Sequence, residues 1–344
     1  MSNTFPHPSR RQFLKAALLS GVGVGLMGRN TLAVQSKPAD MLWLQSARVF
    51  LVDAYAFPFT PDLEFDAQAL AETMTDVNAN VLRFATMGKY ATIQGVAFSR
   101  HPQQGKRDLL AETIAACKPR GIRVVPYIST MHKLAWSMVT RDYPQYAHVS
   151  RPGGGPSRSQ FGSGEDHGTV CWNTPYRQAY LDLVEHVVRD YEIDGIYFDS
   201  WAACYFWPRP GTCYCDGCRK GFGSEIPFHE KLSDYTPAEQ ATIRRYHAWY
   251  QDQLVGLLRE VRRIVKRHRD IPLIYNINNP ERLLGEDPRV PAELDAFLYE
   301  RSQSILHRAE GVSLARATGL FVWPYVSYRL SSRVAPGSWN VQQE

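Results

Sequence analysis

The sequence predicts an α/β fold, a (β/α)8 TIM-like barrel incomplete at the C-terminus, and three observations carry that reading. Short apolar runs alternate with amphipathic helices. The turns from helix back to strand are short, as parallel units joined by crossover helices require. Several of the apolar runs stop on a carboxylate or an amide, the way a parallel barrel presents polar residues at the C-terminal rim of its strands.

Residues 49–53 (Val-Phe-Leu-Val-Asp) form the first predicted strand, ending on Asp53, and residues 65–77 follow with helical spacing of Leu70, Met74 and Val77. Residues 79–84 give the second strand, which ends near Arg83. A helix over 107–118 closes at Gly121, a residue free to take the left-handed C-terminal cap, and residues 122–128 form the third strand. A long insertion, residues 130–166, carries His132, Trp136 and a Pro-Gly-Gly-Gly-Pro stretch at 152–156, and is expected to wall the site.

The helix over 176–191 puts Tyr180, Leu181, Val184, Val187, Val188 and Tyr191 on one stripe and delivers the fourth strand, 193–199, which ends on Asp199. Thr236-Pro237-Ala238-Glu239 reads as a capping box opening a helix that runs to about His268. The fifth strand (271–278) ends in the amides Asn276 and Asn278, the sixth (294–300) in Glu300, and the seventh (320–325) in Tyr325. No eighth unit is evident between Ser327 and Glu344. Either an irregular segment closes the barrel or the chain is a truncated form of something longer.

Residues 1–33 stand apart. Arg10-Arg11 precede a short apolar, glycine-rich run and a small-residue site at Thr31-Leu32-Ala33, the pattern of a twin-arginine export signal. A span needs ~20 apolar residues, so a cleaved signal is expected here and not a membrane helix; an uncleaved N-terminal anchor is the rival. Arg10, Arg11, Lys15 and Arg29 supply most of the net charge of +5: taking those 4 from the 39 Lys and Arg leaves 35 against 34 Asp and Glu. The basic balance therefore gives no reason to expect a nucleic-acid partner. The expected organisation is a signal over 1–33, a barrel over 40–330 and an irregular tail over 331–344. The expected location is the periplasm or outside the cell, reached through the twin-arginine machinery.

Cleaving a glycosidic bond takes two carboxyl groups, one to protonate the leaving oxygen and one to stabilise or capture the oxocarbenium-like centre. Asp199 and Glu300 end strands two apart, so both could reach one pocket, with Asp199 as nucleophile or stabiliser and Glu300 as acid/base. Asp53, Arg83, His132, Trp201, Asn276, Asn278 and Tyr325 would receive a polyhydroxylated substrate at the same rim. The bland alternative is that such carboxylates cap helices or pair with Arg83 and Arg301. A catalytically silent carbohydrate-binding barrel, or a fragment of a larger glycosidase, is the alternative for the whole chain.

Cys213, Cys215 and Cys218 have the tight spacing of a zinc site, with Cys171 or Cys204 as a fourth ligand. Disulfides, which an exported protein permits, and free thiols are the rivals, although Cys213 and Cys215 are too close to bond each other easily. Four thiolates would leave no open position, making such a zinc structural; a catalytic metal is the less favoured reading. Cys117 looks like a core residue, and no organic cofactor is expected.

The segment Cys171-Trp172-Asn173-Thr174-Pro175-Tyr176-Arg177, the helix after it and Cys213-Tyr214-Cys215-Asp216-Gly217-Cys218 resemble glycoside hydrolase family 42, the β-galactosidases. That resemblance implies structural zinc with Cys171 as the fourth ligand. The fourth strand resembles that of hypothetical glycosyl hydrolase family 6. The chain departs from family 42 at Asp199-Ser200, where that family has Asn-Glu, and at Trp323-Pro324-Tyr325, where it has a Glu. β-Galactosidase activity is therefore not implied. An Asp ending the fourth strand is more similar to α-fucosidase and α-galactosidase-type barrels, in which that Asp is the nucleophile.

Overall fold

The computed structural model describes residues 39–52, 64–85, 105–128, 143–155, 170–198, 212–277, 289–300 and 305–324. Seven strands, β1 (Val49–Val52), β2 (Val81–Ala85), β3 (Arg123–Tyr127), β4 (Ile196–Phe198), β5 (Leu273–Ile277), β6 (Ala296–Tyr299) and β7 (Phe321–Pro324), pair in chain order. Every pair is parallel, and the sheet curls into a half-barrel. The strands are shorter than their apolar runs suggest: Ile193, Leu294 and Leu320 precede the ladder, buried at the strand starts.

The helices are α1 (Ala67–Asp76), α2 (Leu109–Cys117), α3 (Tyr176–Asp190), α4 (Asp216–Phe222), α5 (Pro237–His268) and α6 (Ile305–Thr318). Asp66 caps α1 by accepting from the amides of Gln68 and Ala69, and Asp108 caps α2 by accepting from Ala111. Thr236 and Glu239 complete the capping box of α5. Gly121 sits at φ 67°, the left-handed conformation that turns the chain from α2 into β3. Sequence periodicity did not reveal α4 or α6. The first is too short to show a repeat, and the second buries only Gly311 and Leu314, so it has no continuous apolar stripe.

Strand alternation divides the core in two. Phe84, Val124, Ile196, Phe198, Tyr275, Phe297 and Tyr299 pack outward against the helices. Val81, Val125, Tyr127, Tyr197, Ile274, Ala296, Leu298, Phe321 and Trp323 fill the interior. A 3-10 helix, Ala39–Ser46, adds Met41 and Leu44 to that interior cluster. The Trp323 indole donates to the carbonyl of Leu44 at 3.1 Å, and Trp43 lies 6.1 Å from the Trp323 ring with the Arg123 guanidinium 5.0 Å away. β1 and β7 do not pair among the described residues, so this segment, leading directly into β1, is what ties the first edge of the sheet to the last.

A polar residue just ahead of every second strand fastens the N-terminal rim. Asn80 accepts from the Arg48 amide at 2.7 Å, Asp194 from Val124 at 2.9 Å and Asp295 from Leu273 at 2.9 Å. Each reaches across to the strand before its own and satisfies an amide near that strand's start. Burial pushes the Asp194 carboxyl up from its ordinary range, the amide of Val124 opposing it. Asp295 also pairs with Arg262 and Lys266 of α5, tying that helix to the sheet. Asp295→Ala would leave a strand-start amide without its acceptor and remove one of the partners of Arg262 and Lys266. It is expected to lower the unfolding free energy by about 1–3 kcal/mol in urea titrations, with Asp295→Asn recovering part of the loss. A wild-type midpoint for the alanine variant would contradict this account of the rim.

Candidate functional site

Two groups of side chains stand out, one inside the barrel and one beside it. Inside, Arg83 on β2 is buried, and its guanidinium carbon lies 4.6 Å from the centre of the Tyr127 ring and 5.0 Å from that of Tyr197. Those rings meet edge to face at 5.2 Å. A guanidinium held against two aromatic faces keeps its charge and loses rotamer freedom, which makes it a fixed positive centre. Asn276, two residues after the inward-facing Ile274, is also buried. Glu300 follows β6 directly; its amide donates to the carbonyl of Ile277 at 2.8 Å, holding the end of β6 against the end of β5.

Arg83 and Asn276 therefore share the barrel interior, and Glu300 sits at the C-terminal end of β6. Asp53, His132, Asp199, Trp201, Asn278 and Tyr325 lie outside the described residues, as does Cys204. Tyr127 and Tyr197 were not singled out from sequence. Their signal was the two-residue alternation that places them on the same face as Arg83.

Beside the barrel, the sulfurs of Cys171, Cys213, Cys215 and Cys218 all lie within 4.8 Å of one another. Cys171 is 3.4 Å from Cys218 and 3.7 Å from Cys215. A disulfide needs about 2.05 Å, so these are separate thiols. Zn–S bonds of about 2.3 Å at tetrahedral angles imply sulfurs roughly 3.8 Å apart, so the cluster has the dimensions a tetrahedral soft cation requires. Hydrogen bonding to Cys213, Cys215 and Cys218 pushes the Cys171 thiol well up, and burial does the same to Cys213. Cys215 and Cys218 are pushed down, chiefly by hydrogen bonding to Cys171. A cation at the centre would replace these shared protons. Cys117, by contrast, is a buried core residue whose thiol is pushed up to about 11 by burial.

Local structure explains how distant cysteines meet. An antiparallel bridge between Ala147 and Val170, with the Cys171 amide donating to Tyr146, presents Cys171. Tyr214 donates its amide to Val149, and the Val149 amide reaches the Cys213 sulfur at 3.4 Å. Cys215 takes the N-cap position of α4, which turns Cys218 back toward it. Tyr246 on α5 grips Cys213 twice, its hydroxyl accepting from the amide at 3.1 Å and donating to the carbonyl at 3.3 Å. His148 is buried nearby, and burial pushes its imidazole down to about 4, so it is neutral at pH 7. Trp172 packs at a tilt against Tyr176 and edge-on against Tyr180 of α3, and the Tyr180 hydroxyl donates to the Ile128 carbonyl just past β3. The thiol cluster is thus joined to the barrel rim through packed aromatic rings.

Residues 66–200 match the family model for hypothetical glycosyl hydrolase 6, less than half of the chain. No curated protein matches the chain. Among solved structures, α-L-fucosidase isoenzyme 2 from Paenibacillus thiaminolyticus is similar with a TM-score of 0.59 at 18% identity, over 80% of this chain and 39% of that one. A β-galactosidase from the psychrophilic Marinomonas ef1 aligns at 0.49 and 13% identity, over 73% of this chain and 40% of that one. The PgaB (BpsB) glycoside hydrolase domain from Bordetella bronchiseptica aligns at 0.46 and 14% identity, over 79% and 81%. The chain thus spans about two fifths of the length of the first two. The likeness to the fucosidase is one of fold.

Gly217 offers a local test of the cluster's packing. A Cβ there would stand 1.6 Å from the Asn173 carbonyl oxygen, which no side-chain adjustment relieves. Gly217→Ala is expected to force the Cys171 and Cys218 segments apart and cost about 3 kcal/mol or more. Denaturant titration measures it, and an unchanged midpoint would show that the two segments are not packed as described.

Proposed function

We propose that the chain is an exported glycoside hydrolase in which Asp199 is the nucleophile or stabilising carboxylate and Glu300 the general acid/base. The observation that carries this reading is the match of residues 66–200, a range that includes Asp199, to a glycosyl hydrolase family model. It is supported by a parallel sheet whose interior holds a buried cation and a buried amide beneath the strand ends.

In this reading Glu300 protonates the glycosidic oxygen as the bond breaks. Asp199 meets the positive charge that develops at the anomeric carbon, and water completes the hydrolysis. Asp199 stands two residues beyond Tyr197, whose ring lies against Arg83. By the two-residue alternation of a strand, Asp199 has the same parity as Tyr197. Asn276 would hydrogen-bond sugar hydroxyls, with Asp53, His132, Trp201, Asn278 and Tyr325 around the mouth. A fucose-type α-glycoside is the first substrate class to try, because an Asp ending the fourth strand resembles the α-fucosidase type.

The four cysteines would hold zinc, supplying structure only, since four thiolates fill a tetrahedral shell. The twin arginines support export to the periplasm or beyond. Among the described residues no helix is long and apolar enough to cross a membrane.

Against a panel of aryl glycosides, Asp199→Asn and Glu300→Gln are each expected to lower kcat by about 10²–10⁴-fold while circular dichroism stays native. Wild-type turnover in both would overturn the assignment. Binding of glycans without hydrolysis of any panel member would favour a carbohydrate-binding barrel instead. Elemental analysis is expected to find one zinc per chain, and chelation to lower Tm by several degrees. The double variant Arg10→Lys, Arg11→Lys is expected to hold the protein in the cytoplasm, as fractionation would show.

A further inference from the structure

Asn173 touches both of the segments that supply the four cysteines. Asn173 donates its backbone N–H to the Cys171 sulfur at 3.4 Å and its side-chain Nδ2 to the Cys218 sulfur at 3.3 Å. These sulfurs lie 47 residues apart in sequence and 3.4 Å apart in space. Asn173 itself is held in register by Gly217, whose missing side chain leaves room for the Asn173 carbonyl. The opposite side of the cluster is served separately, by the Val149 amide on Cys213.

A tetrathiolate around a divalent cation carries two excess negative charges in a site where Cys171, Cys213 and Cys218 are buried. N–H donors that point at the sulfurs offset that charge without competing for the metal. Hydrogen bonds to charged groups are stronger than neutral ones, and partners of this kind fix ligand orientation and tune the metal. A carboxamide can serve here and a carboxylate cannot, because its oxygen would face a thiolate.

We propose that Asn173 is a positioning residue of the metal centre: its two N–H groups clamp Cys171 to Cys218 and set the affinity of the site for a soft divalent cation. The inference rests on the reading of the cysteines as a metal site, and it adds a requirement that the four ligands alone do not contain.

The experiment titrates Co2+ into the reduced full-length chain, following sulfur-to-cobalt charge-transfer absorption, and then displaces Co2+ with Zn2+ to obtain both affinities. Asn173→Ala is expected to keep the tetrahedral cobalt spectrum while raising both dissociation constants about 10–100-fold. Asn173→Asp, which keeps the shape and replaces the donor by an acceptor, is expected to lose more than the alanine variant. Native circular dichroism at saturating metal, measured for both variants, separates weaker binding from failure to fold. Wild-type affinity in the alanine and aspartate variants would overturn the role of Asn173 while leaving the metal site standing. Equal losses in the two would show that the side chain only fills space and overturn it as well. A wild-type chain that takes up neither ion would sink the metal reading itself, and this inference with it.

Discussion

The constraint on which the rest of the molecule depends is that each parallel strand must be buried on both faces. Here alternate residues serve two different cores. Tyr127, Tyr197, Ile274, Ala296 and Phe321 are register partners on successive strands and make one continuous inner layer. Their immediate neighbours pack on the helices. A polar residue on the inner face must therefore be paired within the interior or serve the mouth. Arg83 meets the first condition through the faces of Tyr127 and Tyr197, and this is why a guanidinium is tolerated among apolar side chains. The same alternation fixes the parity of everything that leaves the strand ends, so core packing and the placing of chemistry are a single problem in this sheet.

Much of this was legible in the chain. The apolar runs located all seven strands, because burial on both faces leaves an unbroken signature such as Leu273-Ile274-Tyr275. The stripe on α3 and the capping box of α5 were legible for equally local reasons. What the chain did not disclose depends on contacts between distant segments. The rim acids Asp194 and Asp295 look like ordinary members of their strands until their partners on the neighbouring strand are known. Tyr127 and Tyr197 look like core aromatics until Arg83 is found between them. Asn173 is one polar residue among many unless both sulfurs are in view. Within the candidate site, residue types were readable from strand ends, whereas the pairing of charges was not.

The length of α5 has its explanation in these two assemblies. At 32 residues it is about 48 Å long, more than a barrel of short strands needs. Its C-terminal half, from Leu254 to Val265, packs on the barrel, and Arg262 and Lys266 fasten it to Asp295. Its N-terminal half carries Tyr246, Trp249 and Tyr250 to the cysteine module, where Phe222 of α4 packs against the first two. One continuous helix thus joins the thiol cluster to the sheet.

The hydrogen bond from Trp323 to Leu44 spans 279 positions of sequence. The interior plug beside the first strand is thus completed by a residue of the last described strand. Met41 and Leu44 enter a layer to which both the early and the late strands contribute. A contact of such long sequence separation costs more loop-closure entropy than the pairing of neighbouring βα units, so completion of this interior is expected to follow theirs.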